Sequence, residues 1–379
     1  MKLGVYIHVP FCAVRCDYCD FATWTDRGHL VDAYVDACVT DVSRRARRGE
    51  LRPATSVFFG GGTPSLLPAD RLARILDAVP RVADAEVTVE CNPDSVDPAK
   101  LTAYRRAGVS RLSFGMQSVR PHVLASLGRT HELANVTRAV EGARAAGFES
   151  FNLDLIYGTP GESLGDWRAT LDAALALEPP HVSAYALTVE PGTRLGRRVV
   201  SGAQPAPDDD AQADKYEVAE SALRAAGLEW YEVSNWARAG YECRHNLLYW
   251  GQGDYLGVGC AAHGHTAGRR WWNVRTPERY VERVSAGRST EAGAEELDAG
   301  QRDEERLVLA LRTRQGAAVA AFGRAAREVD ELAAQGLLTR LGSRVVLTCR
   351  GRLLANEVTA RLVLASAAAT GDLLATNGR

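Results

Sequence analysis

The feature that most restricts this chain is a recurring passage from the end of a helix into a strand. The segments AGVSRLSF, AGFESFNL and AGLEWYEV all follow that pattern, with Gly108, Gly147 and Gly227 at the turn. A glycine there predicts a helix C-terminus closed by a left-handed residue. The spacing is first one and then two units of about 40 residues, the length of a strand–helix repeat. Strands are predicted at Gly4–Val9, Ser56–Phe59, Glu86–Glu90, Arg111–Phe114, Phe151–Ile156 and Val182–Thr188. Helices are predicted between them at Val31–Arg47, Ala69–Val79, Pro98–Ala107, Leu133–Ala146 and Leu164–Leu177. Such alternation implies parallel strands joined by right-handed crossovers. The expected fold is α/β, a partial (β/α) barrel, because six strands are fewer than the eight of a closed one. A Rossmann-like open sheet is the alternative.

Beyond residue 200 the pattern changes. Ser201–Asp210 (SGAQPAPDDD) predicts a linker whose acidic end caps a helix at Ala211–Ala226. Tyr231–Arg275 is rich in Gly, Trp, Tyr and His without periodicity, which predicts a surface built from loops. From Ala299 the chain turns helical, with a hairpin at Leu337–Leu341 and Val345–Thr348 around Gly342–Ser343. The expected organisation is a barrel over residues 1–200, a barrel-extending region over 201–298, and a small helical, winged-helix-like domain over 299–379 with a tail frayed after Ser366. The formal charge of −2 gives no reason to expect a nucleic-acid partner. Arg340–Arg352 is a basic stretch with four arginines, and a solvated wing accounts for them. No apolar run approaches the ~20 residues of a membrane span, and the N-terminus lacks a signal-peptide pattern. A cytoplasmic protein is expected, with peripheral membrane attachment left open.

Three of the eight cysteines fall within eight positions, as Cys12-x3-Cys16-x2-Cys19, directly after the first strand. In βα folds that end of the strands is where sites are built. Three thiolates on one loop suit three irons of a [4Fe–4S] cluster, leaving the fourth to chelate a small molecule. A zinc site completed by His8 or Asp20, a disulfide with a spare thiol, and three buried structural cysteines are the plainer alternatives. Cys38, Cys91 and Cys349 fall in predicted regular structure and are read as inert. Cys243 and Cys260 are read as either redox-active or buried. Gly60-Gly61-Gly62-Thr63-Pro64 after the second strand predicts a backbone that approaches a ligand and exposes its N–H groups. Glu90, Gln117, Arg129 and Asp154 end largely apolar strands or lie just beyond, which predicts a polar ring over one face of the barrel.

The loop resembles the radical S-adenosylmethionine (radical SAM) superfamily, whose signature CxxxCxxC carries an aromatic before its last cysteine, here Tyr18. The resemblance implies a [4Fe–4S] cluster on Cys12, Cys16 and Cys19. More narrowly, the chain resembles oxygen-independent coproporphyrinogen III oxidases and their relatives. That resemblance implies S-adenosylmethionine contacts from Tyr6, Tyr18, Gly61, Gly62, Thr63, Glu90, Gln117, Arg129 and Asp154.

Two departures separate the chain from those oxidases. A further cysteine that they carry two residues after the last cluster ligand is Phe21 here, and only eleven residues precede Cys12. Both resemble the HemW-type heme chaperones, as does His245-Asn246-Leu247-Leu248-Tyr249-Trp250, which is similar to their HNxxYW motif. The resemblance implies heme binding at His245, Asn246, Tyr249 and Trp250, with His245 as axial ligand, and heme-accepting partner proteins, membrane respiratory enzymes among the candidates. A homodimer is left open. The alternative function is the oxidase itself, a radical decarboxylation of porphyrinogen propionates. His263 and His265 form a weaker metal-ligand pair.

Overall fold

The computed structural model describes the backbone of residues 2–376 and the side chains of residues 2–323 and 325–365. Six strands run in chain order: β1 (Leu3–Val9), β2 (Ala54–Gly61), β3 (Arg81–Cys91), β4 (Arg111–Gln117), β5 (Ser150–Tyr157) and β6 (His181–Ala186). Each pairs with the next in parallel. A sequential order of this kind wraps toward a barrel, whereas a doubly wound Rossmann sheet starts in its middle and grows both ways. The barrel stays open. Next to β6 lies the antiparallel hairpin β7 (Glu229–Glu232) and β8 (Asn235–Ala237). Next to β1 lies β9 (Asp254–Val258), followed by β10 (His263–Thr266), β11 (Arg269–Asn273) and β12 (Glu291–Glu296). The strand β9 is parallel to β1 and the following three are antiparallel.

The strand alternation explains the interior. Val5, Ile7, Val57, Phe59, Leu112, Phe114, Leu153 and Leu155 are fully buried in the main hydrophobic cluster with the helices. Their neighbours in sequence carry the polar groups: Tyr6 and His8, Ser56, Glu86 and Glu90, Arg111 and Ser113, Asn152 and Asp154. Successive residues of a strand face opposite sides, so these side chains share the inner face. Gly108, Gly147 and Gly227 all have the expected positive φ, at 97°, 84° and 79°.

The region expected to be loops is different. Between Tyr231 and Arg275 lie the end of β7, strands β8–β11 and the helix Arg244–Trp250. Its strands are short, β11 carries a tryptophan on each face, and glycine stands where segments pack closely. A side chain at Gly257 would run into the backbone of His263, and one at Gly264 into the Trp271 ring. That composition hides the alternation that normally reveals a strand. The helix after the linker runs Asp209–Ala225, with Asp208 accepting from the Ala211 N–H.

The C-terminal part has its own core of Leu311, Phe322, Val329, Leu332, Leu338, Val345, Val358 and Leu362. It is built from the helices Ala299–Leu311 and Ala326–Ala334, a three-stranded sheet of β13 (Ala317–Ala318), β14 (Leu338–Leu341) and β15 (Arg344–Leu347), and the last helix Ala355–Thr376. Of the tail expected to fray, the side chains beyond 365 and residues 377–379 lie outside the described residues. Arg352 ties this part to the barrel. Its guanidinium pairs with Glu220 at 2.9 Å and lies 4.4 Å over the Trp230 ring. Arg340 pairs with Asp330, and Arg344 donates to the carbonyls of Gln315 and Gly316, so two more arginines of the basic stretch are spent internally. Among the described residues, no helix is long and apolar enough to cross a membrane.

Candidate functional site

The cysteine loop leaves the C-terminal end of β1 and is pinned at both ends by backbone. The N–H of Cys12 donates to Trp24 O at 3.0 Å, and that of Trp24 to Pro10 O at 2.8 Å. Midway, the Asp17 N–H donates to Leu127 O, while the Asp17 carboxylate takes Arg198 at 2.6 Å. Cys12, Cys16 and Cys19 are free, half-buried thiols lining one cavity of about 680 Å³. Burial raises the Cys12 thiol above its ordinary value and pushes Cys19 up to about 11. A metal bound by these thiols would have to displace their protons.

The glycine motif does a different job from the one expected of it. The N–H groups of Gly61, Gly62 and Thr63 are taken. Gly61 donates to Glu90 Oε2 at 3.2 Å, Gly62 to Val9 O at 2.8 Å, and Thr63 to Phe11 O at 2.9 Å. The motif braces the cysteine loop, and Gly62 is required because a Cβ would sit 2.7 Å from Phe11 O and 3.0 Å from Cys12 Sγ. Thr63 Oγ1 donates to Cys12 Sγ at 3.7 Å.

The polar ring lies in the same cavity. Glu90, Gln117, Arg129 and Asp154 all line it, as do Tyr18, Gly61, Gly62 and Thr63. Tyr6 does not. It lies beneath, its hydroxyl 3.2 Å from His8 Nδ1, close to Glu90. Burial first, then the neighbouring Asp154, pushes the Glu90 carboxyl up to about 8. Asp154 is raised as well, by burial, although Ser113 and Asn152 each donate to it at 2.8 Å. Gln117 is held at φ 60°, a left-handed conformation uncommon for a side-chain-bearing residue, and its Oε1 is buried without a partner. Arg129 Nε is likewise buried and unpartnered. Gly115 makes room for both, since a Cβ there would lie 2.6 Å from the Arg129 guanidinium. Two carboxyl groups, an unspent amide oxygen and an unspent guanidinium N–H beside three thiols suit an amino acid-bearing nucleoside next to a cluster. His8 has both ring nitrogens engaged, with Tyr6 and the Ala22 carbonyl, so it is not free to complete a zinc site.

The HNxxYW segment lies elsewhere. The helix Arg244–Trp250 closes the opposite mouth of the barrel, its first N–H groups held by the Glu86 carboxylate at 3.0 and 3.1 Å. His245 is 1% exposed. Its Nδ1 is 2.9 Å from Ser56 Oγ and its Nε2 2.8 Å from the Tyr249 hydroxyl, with the ring stacked on Phe58 at 5.3 Å. Burial lowers its pKa to about 3, which leaves a neutral imidazole with no free nitrogen. The axial role expected of His245 is not available in this arrangement. Replacing His245 by alanine removes two hydrogen bonds and a packed ring. An expected cost of about 2–4 kcal/mol should appear as a lowered midpoint in chemical denaturation.

A second cavity, also about 680 Å³, opens beside the first on the inner face of β1, β9, β10 and β11. Tyr6, Tyr249, Tyr255, His263, His265 and Arg270 line it, and Asp20 and Phe21 line both cavities. Asn246 and Trp250 line neither. Tyr255, Arg270, Arg275 and Glu305 were missed by motif reading. Strand parity could have found the first two, since Tyr255 pairs with His265 and Arg270 with His265 across the sheet.

The fold and the thiol-lined cavity at the strand ends are those of a radical SAM protein, and the Radical SAM superfamily model matches residues 6–174. Membership implies a [4Fe–4S] cluster and S-adenosylmethionine. The chain is 47% identical to the heme chaperone HemW of Mycobacterium tuberculosis, over 95% of this chain and 94% of that one. It is 38% identical to the heme chaperone HemW of Escherichia coli, over 94% and 97%. The chain belongs to the HemW family. Among solved structures, coproporphyrinogen III oxidase (HemN) from Escherichia coli superposes with a TM-score of 0.83 at 22% identity, covering 95% of this chain and 90% of that one, a likeness of fold.

Proposed function

We propose that this chain is a heme chaperone of the cytoplasm: it binds heme beside a [4Fe–4S] cluster and S-adenosylmethionine and delivers the heme to acceptor proteins. The observation that carries this reading is the pair of adjoining cavities that share Asp20 and Phe21. One has three thiols and a polar ring. The other is aromatic and imidazole-bearing, the chemistry that suits a porphyrin.

Cys12, Cys16 and Cys19 would hold the cluster, which when bound supplies an open iron for the amino and carboxylate groups of S-adenosylmethionine. Arg129 offers its guanidinium to the carboxylate, while Glu90 and Asp154 accept from ammonium and ribose hydroxyls. Gln117 presents its free Oε1 to a donor. Phe21, 59% exposed at the rim, stands between the two compartments as an apolar face.

The test begins with anaerobic cluster reconstitution, followed by reductant, S-adenosylmethionine and either heme or coproporphyrinogen III. Stoichiometric heme uptake, seen in the absorption band, with no porphyrinogen decarboxylated, is the expected result. Turnover to protoporphyrinogen with release of 5′-deoxyadenosine would make the chain an oxidase and overturn the proposal.

A further inference from the structure

If the chain carries heme, as proposed above, a free imidazole is a good ligand for the structure to offer its iron. Four histidines lie in or near the second cavity, and three are spent. His245 is held by Ser56 and Tyr249, and His8 by Tyr6 and Ala22. His265 is fixed through Nδ1 to Gly253 O at 2.9 Å, while its Nε2 accepts from the Gly268 N–H at 3.2 Å. His263 is the fourth. It is exposed at the start of β10, its ring tilted against Trp272 at 6.1 Å, and among the described residues neither of its nitrogens has a hydrogen bond.

The placement of His263 is built into the fold. Because Gly257 has no side chain, the backbone of His263 crosses directly over β9. The imidazole is thereby lifted onto the inner face of the sheet, the face that also carries Tyr6, Tyr255 and Arg270. The floor of the cavity is aromatic, and its volume falls within the range of about 300–1,000 Å³ typical of small-molecule sites.

Its cations are of two kinds. Arg270 is already neutralised by Glu295 at 2.9 Å and Glu305 at 2.5 Å. Arg275 is exposed at the cavity wall and, among the described residues, has no ion pair. A flat apolar ligand that brings both a metal and a carboxylate satisfies His263 and Arg275 together.

We propose that heme sits in this second cavity, with His263 as the protein ligand to its iron and Arg275 on a propionate, while His245 holds the floor in place.

The full-length, cluster-reconstituted protein is titrated with heme and with heme dimethyl ester, reading affinity and the position of the main absorption band. His263→Ala is expected to weaken heme binding about tenfold or more and to shift the band, and added free imidazole should restore the band. Arg275→Glu should weaken binding of heme but not of its dimethyl ester. His245→Gln should leave the band in place. All three variants are checked first by thermal melting; His263 and Arg275 are exposed, so their variants should melt with the wild type. Wild-type affinity and band in His263→Ala, or a band that moves only in His245→Gln, would overturn the assignment while leaving the chaperone reading intact. A wild-type protein that takes up no heme at all would remove both.

Discussion

Cys12→Ala, Cys16→Ala and Cys19→Ala should each emerge from anaerobic reconstitution without visible iron–sulfur absorption, and their apo proteins should melt close to the wild type. The first expectation follows from geometry. The three thiols share one cavity on a loop held by backbone hydrogen bonds from Cys12, Asp17 and Trp24, so replacing one thiol removes a ligand and leaves the fastening of the loop in place. The second follows from how little the thiols contribute to the fold. They are half-buried, and the contact from Thr63 to Cys12 is a weak one at 3.7 Å. Cys38→Ala and Cys91→Ala provide the contrast. Both thiols are buried in the main core, and losing the sulfur leaves a small cavity worth about 1 kcal/mol or more. Those variants should keep the cluster and lose stability. Iron and sulfide content, read beside the melting midpoint, separates the two groups. A Cys16→Ala protein that retained the full cluster would show that the ligands lie elsewhere.

What could be read from the sequence was whatever obeyed a period. The six parallel strands and their helices announced themselves through apolar runs and the helix-ending glycines. The polar ring was legible for the same reason, because Glu90, Gln117 and Asp154 interrupt or end strands that are otherwise apolar, and Arg129 follows in the loop beyond β4. The extension of the sheet past β1 was not legible. In Asp254–Asn273 each strand is four or five residues long, Gly257 stands where the His263 backbone crosses, and Gly264 stands where the Trp271 ring packs. Motif reading also misled in two places for one physical reason: a motif reports residue types and not their partners. The glycines of Gly60–Thr63 were read as N–H groups offered to a ligand, yet Val9, Phe11 and Glu90 occupy them. His245 was read as an iron ligand, yet Ser56, Phe58 and Tyr249 enclose it. For that reason a loss of heme in His245→Ala would not identify a ligand. The same substitution undermines the wall that carries Tyr249, and only the band position in a variant that keeps the fold distinguishes the two effects.

Glu90→Gln should separate stability from binding in opposite directions. In the folded protein the Glu90 carboxyl is pushed up to about 8, by burial and then by Asp154. Unfolded, it titrates near the ordinary carboxylate value. Between those two values the folded state holds the proton more tightly than the unfolded one. The contribution of Glu90 to stability is therefore complete in acid and is lost as pH rises through about 8. Glutamine does not titrate, so the apo variant should lose less stability than wild type between pH 5 and 9. In alkaline solution it should be more stable by on the order of 1 kcal/mol. Binding runs the other way. An ammonium or hydroxyl donor prefers the carboxylate, so S-adenosylmethionine must expel the proton that burial retains. Wild-type affinity should climb as pH rises toward 8.5 and flatten once the carboxyl is ionised. In Glu90→Gln it should be lower by about 100-fold, near 2.7 kcal/mol, and almost independent of pH. Calorimetry in buffers of different ionisation enthalpy would count the proton released by the wild type and none by the variant. Equal affinities for S-adenosylmethionine in the two proteins at pH 8 would remove Glu90 from the site, whereas a flat wild-type pH profile with a weakened variant would keep Glu90 in contact and show that it binds already ionised.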